Sequence, residues 1–157
     1  MTDAGRTLLR HTLATLAYRG GKVLRDAPES FAQYDGGTRP PLKIVAHLGD
    51  LIDWALSMAD GSRKWNDTTP TSWSAEVERF FDSLEKFDAY LASDVELQAP
   101  VEKLFQGPVA DALTHVGQLA MLRRMAGAAM KSENYFAADV VTGRVGREQT
   151  APKREFD

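Results

Sequence analysis

The chain has 157 residues, 43% of them hydrophobic and 26% charged, with a net charge of −3 and no cysteine. That length suits one domain over residues 1–157, large enough to bury roughly 70% of its unfolded surface. The acidic balance argues against nucleic acid or an anionic membrane as a partner, and no apolar run approaches the ~18 residues that span a bilayer. The lack of cysteine removes disulfides, thiolate nucleophiles and thiolate metal ligands together, so any metal must be held by nitrogen and oxygen. Arg6, Arg10 and His11 interrupt what would be a signal-peptide core, and a cytoplasmic location is expected.

Leu8, Leu9, Leu13, Leu16, Val23 and Leu24 recur at helical spacing and predict a helix over 3–26, started by a Thr2-Asp3 cap. Gly20-Gly21 should weaken or bend it, since each glycine costs about 1 kcal/mol against alanine. His11 lies opposite the apolar stripe and reads as a surface residue. Pro28, Gly36-Gly37 and Pro40 make 27–40 a loop, pinned by Phe31 and Tyr34. Pro41 opens a second helix over 41–60, with Ile44, Leu48, Leu51, Ile52 and Ala55 as its core stripe and His47 on the edge of it. Gly61 and the run 66–70 then break the chain.

The clearest helix is 72–93, where Val77, Phe80, Phe81, Leu84, Phe87 and Leu91 keep i, i+3, i+4 spacing and form core rather than a cofactor site. Residues 99–106 add one helical turn, and Gly107-Pro108 marks the start of a last helix over 108–130, because proline is tolerated at the first helical position. Four amphipathic helices without a strand run make an all-α, up-down four-helix bundle over 1–130. Residues 131–157 are irregular and are expected to pack across one end of it, with a short helix over 138–143.

The last helix carries the unusual feature. At about 100° per residue, Asp111, His115, Gln118, Leu122 and Met125 share one strip, and Arg123 and Arg124 point elsewhere. The strip reads as an inward face, and burying a carboxylate, an imidazole and an amide without partners costs a few kcal/mol each. Asp111 and His115, one turn apart, reach a common point. His47 is the natural third donor, and two imidazoles with a carboxylate suit Zn²⁺, Fe²⁺, Ni²⁺ or Mn²⁺. A hydrogen-bonded cluster without metal fits the same spacing. Leu113 and Val116, on the Arg124 side, are candidates for a homodimer interface.

Two short runs, Ile44-Val-Ala-His47-Leu and His115-Val-Gly-Gln118-Leu, resemble the second-helix and last-helix motifs of the DinB/YfiT-like family of four-helix-bundle metalloproteins. The resemblance covers residues 3 to about 130. It implies a divalent metal at His47, Asp111 and His115, although Asp111 stands where the family usually has histidine and Val116 where it has arginine. The carboxylate shifts preference toward harder ions such as Mn²⁺ or Fe²⁺. The resemblance further implies a metal-dependent transfer of small organic groups to or from a low-molecular-weight thiol such as bacillithiol, mycothiol or glutathione. In that setting Gln118 would orient a ligand near the metal, Asp50 would do so for His47 unless it is simply exposed, and Arg144 and Arg147 would meet the thiol's carboxylates. The competing readings are a metal-binding bundle of hydrolytic or unassigned activity, and a non-catalytic, stress-linked binding or dimerisation bundle whose His/Asp cluster is structural.

Overall fold

The structure is a computed structural model that describes residues 3–157. It is mostly helical: α1 spans Ala4–Leu24, α2 Pro41–Asp60, α3 Trp73–Ala92, α4 the single turn Val101–Leu104, and α5 Ala110–Met125. The four long helices close around one core, α1 and α2 each lying against both α3 and α5. Leu13, Leu16, Leu48, Ile52, Phe80, Leu84, Phe87 and Leu119 are fully enclosed, and each contributes roughly 1.5–3 kcal/mol through apolar burial. No described helix is long and apolar enough to cross a membrane.

The ends of α1–α3 follow from capping chemistry. The Asp3 carboxylate accepts from the backbone N–H groups of Gly5 (2.9 Å) and Arg6 (3.2 Å) at the start of α1; Thr2 of the predicted cap lies outside the described residues. Pro41 opens α2 and Gly61, at φ 85°, closes it in the left-handed conformation. The Ser72 hydroxyl caps α3 by accepting from Ala75 N–H. Leu8, expected in the core stripe, is 68% exposed instead.

Gly20 and Gly21 neither end nor interrupt α1. A β-carbon at Gly20 would lie 3.1 Å from the Phe80 ring, so the missing side chain lets α1 approach α3 closely, and packing outweighs the propensity cost. Gly117, in the middle of α5, is the opposite case: nothing lies within 4 Å of the position its β-carbon would take.

The last helix does not begin at Gly107-Pro108. It begins at Val101, and a π-helical turn over Phe105–Val109 carries Pro108 inside the segment and joins α4 to α5. Proline lacks the N–H that an interior helical residue donates, and a wider turn accommodates that gap. At the other end α5 stops at Met125, not 130. Gly127 at φ 75° donates to Arg124 O and Ala128 donates to Arg123 O, a paired cap that satisfies the last carbonyls. Arg123 is buried rather than outward-facing. Its guanidinium donates to the carbonyls of Val23, Arg25 and Ala128 and so ties the C-terminus of α1 to that of α5.

Arg79 ties α3 to α2. It donates to Ala46 O (2.6 Å), Asp50 Oδ1 (3.1 Å) and Glu76 Oε2 (3.0 Å). Asp50 also accepts from the Thr68 N–H and hydroxyl, which anchors the loop after α2. Asp50 is therefore neither exposed nor a partner of His47; it is 2% exposed and structural.

Residues 131–157 run along α1 and on to α3 instead of across an end, and 138–143 is not helical. Glu133 accepts from the Tyr18 hydroxyl and from Lys22 Nζ (2.6 Å), Lys22 also reaches Glu155 (2.8 Å), and Thr142 meets the exposed His11 (2.9 Å). A two-residue antiparallel ladder pairs Ser132–Glu133 with Glu155–Phe156, strands too short to register in an apolar pattern.

Candidate metal centre

The polar strip of α5 is not its core face. Ala112, Val116, Leu119, Leu122 and Arg123 point inward, whereas Asp111, Gln118 and Met125 are exposed. The helix had two faces to choose between, and the one rich in alanine, valine and leucine buries at far lower cost than a carboxylate and an amide. The strip instead borders the seam between α5 and α2. Val116 is 4% exposed and belongs to the core, while Leu113 beside it is half-buried.

Across that seam lies His47. Its Nε2 is 3.6 Å from Asp111 Oδ2, and His115 Nε2 is 3.5 Å from the same oxygen. The two imidazoles meet edge to face at 4.8 Å between ring centres. One donor atom from each of the three residues lies within 4.8 Å of the others. An ion with bonds of about 2.0–2.2 Å needs donors roughly 3–3.5 Å apart; the two histidine–carboxylate separations, 3.5 and 3.6 Å, lie close to that spacing, and the donors are nitrogen and oxygen only. Gln118 Oε1 sits 2.7 Å from His115 Nδ1. That contact fixes the His115 ring with Nε2 turned toward Asp111, the orienting role that a metal-ligating histidine requires.

The surroundings of His47 disfavour its charged form. Burial lowers its pKa from the ordinary value of 6.5, the neighbouring His115 and Arg39 push in the same direction, and only Asp111 opposes them. A histidine whose folded pKa is depressed supplies stability above its unfolded pKa, and that stability is lost as pH falls through the folded pKa. In metal-free protein the His47 ring should therefore titrate below 6.5 by NMR, with stability decreasing on acidification below that point; a midpoint above 6.5 would contradict this.

The surroundings add groups that the sequence pattern did not single out. The Trp65 ring stands edge-on to His47 at 5.8 Å and to Trp54 at 5.7 Å. A tryptophan inside the polar run that follows Gly61 was the available signal. A cleft of 360 Å³ beside His47 is lined by Arg39, Lys43, Asp67 and Thr68 among others. Arg144 and Arg147 do not join the site. Arg147 lies over Phe81 of α3, and both belong to the segment packed on α1 and α3, away from the α2–α5 seam.

No protein-family model, curated protein or solved structure matches this chain.

Proposed function

We propose that His47, Asp111 and His115 hold one divalent cation, with Zn²⁺, Ni²⁺, Fe²⁺ and Mn²⁺ as the candidates, and that the chain is a metal-dependent protein of the DinB-like type acting on a small molecule in the cytoplasm. The observation that carries this reading is the convergence of three donor atoms from two helices within 4.8 Å. A divalent ion there supplies Lewis acidity and makes a coordinated thiol more acidic, the chemistry of a thiol S-transferase. The chain's own residues divide the remaining work. Gln118 orients His115. Trp65 walls one side of His47 and limits water on that side. Arg39 and Lys43, in the cleft beside His47, are placed to receive the carboxylates of a small thiol, the role the sequence assigned to Arg144 and Arg147.

Untagged protein stripped by chelator and titrated with Zn²⁺ or Co²⁺ should bind one ion per chain. His47→Ala and His115→Ala should each lose more affinity than Gln118→Leu, for which about 10- to 100-fold is expected. Co²⁺ should also quench tryptophan fluorescence, because Trp65 is 5.8 Å from His47. A wild type that takes up none of Zn²⁺, Mn²⁺, Fe²⁺ or Ni²⁺ overturns the proposal. Thiol-dependent loss of a model electrophile by the loaded protein then separates transferase from hydrolase.

A further inference from the structure

A second cavity, of 510 Å³, opens between α1, α5 and the C-terminal segment. It lies on the flank of α5 opposite His115, since Leu113, Val116, Gly117 and Ala120 project away from the strip that carries Asp111 and Gln118. Its size is that of small-molecule sites generally. Val23, Leu113 and Val116 give it apolar walls, and the open space over Gly117 is part of the same hollow.

Positive charge gathers around this hollow. Arg19, Arg124 and Lys131 all line it, and among the described residues none of the three forms an ion pair. Arg19 is held with its guanidinium 4.1 Å from the Tyr135 ring centre, and its Nε is buried with no hydrogen-bond acceptor. Glu133 also borders the cavity, but its carboxylate oxygens are occupied by the Tyr18 hydroxyl and Lys22 Nζ. Three unpaired cations around one apolar hollow are unexpected in a chain of net charge −3. A guanidinium that lines a cavity and has no carboxylate paired to it is suited to receive an anion there.

We propose that this cavity binds a small organic acid, with its carboxylate against Arg19 and Arg124 and its hydrocarbon or aromatic body against Val23, Leu113 and Val116. The apolar walls favour an amphipathic carboxylate over a free inorganic anion, which would leave them in contact with water. Gly117 lines the cavity and leaves space for that body: a β-carbon there would meet nothing within 4 Å.

Calorimetric titration of the whole chain with 1-naphthoate and octanoate, against the neutral 1-naphthamide and inorganic phosphate, tests the proposal. One saturable carboxylate site is expected, at least tenfold tighter than naphthamide or phosphate. Arg19→Gln should weaken naphthoate at least tenfold. Gly117→Leu should abolish binding without lowering the melting temperature, because it replaces a helix-weakening glycine and projects into open space. His47→Ala should leave naphthoate binding unchanged, which separates this site from the metal centre. Equal binding of naphthoate and naphthamide, preferential binding of phosphate, no saturable binding of either acid, or naphthoate binding untouched by Gly117→Leu would each overturn it.

Discussion

Arg79→Met should cost about 3–5 kcal/mol of folding stability, the range for removing one partner from a buried ion pair. Asp50 and Glu76 are 3% and 4% exposed at their side chains, and Arg79 is the cation that answers both. Methionine keeps much of the side-chain volume, so the loss measured by urea denaturation reports the stranded carboxylates rather than a cavity. The substitution also reaches the candidate site. Asp50 holds Thr68, and the Thr68 loop carries Trp65 to His47, so tryptophan emission should change at denaturant concentrations below the global transition. As a contrast, Lys153→Ala removes a pair whose side chains are both more than half exposed and should cost less than about 1 kcal/mol. Similar losses in the two variants would show that the Arg79 cluster is not effectively buried.

The second large effect is expected at Glu133→Ala, near 3 kcal/mol, at the lower end of the same range because Lys22 keeps Glu155. The Glu133 side chain is fully enclosed and answers both Lys22 and the Tyr18 hydroxyl. Burial, together with that hydrogen bond to Glu133, holds the Tyr18 hydroxyl above the usual phenol range. Glu133 is also the point at which residues 131–157 are fastened to α1, so the loss should be local as well as global. Limited proteolysis should cut the variant between 131 and 157 much faster than the wild type while the helical core remains protected. Equal cutting rates would show that Val145 and the short ladder hold the segment without Glu133.

The helices α1–α3 were legible because each carries one apolar stripe and a chemical stop: Asp3, Ser72, Pro41 or Gly61 at an end. The segment from 101 to 125 was not, for two physical reasons. Gly107-Pro108 has the chemistry of a helix start but sits in a π turn that continues one. The inner face of α5 is assembled from Ala112, Val116, Leu119 and a buried arginine, a stripe whose periodicity is no stronger than that of the polar strip beside it. Burial of Arg123 depends on carbonyls at Val23 and Arg25, about a hundred positions away, which no local pattern encodes. The same holds for Glu133 and Lys22. The trio His47, Asp111 and His115 was readable because each residue sits at the margin of an apolar stripe, where helices meet along a seam. What failed was the direction assigned to that margin: it borders a cleft, not the interior.

The π turn at Phe105–Val109 has a consequence for how the chain can change in length. At about 100° per residue, an unbroken α-helix would place the buried Leu104 roughly 90° away from the direction shared by Ala112, Val116 and Leu119. The wide turn absorbs that mismatch, which amounts to about one surplus residue. Loss of Pro108 itself would remove both the surplus residue and the missing N–H, converting the segment to a plain helix with Leu104 and Ala112 on one face and leaving His115 beside His47. Loss of one residue between His115 and Leu119 would rotate either the core residues or the ligand residues out of place. Among the described helices, this turn is where descent could shorten the chain by one position and keep the site.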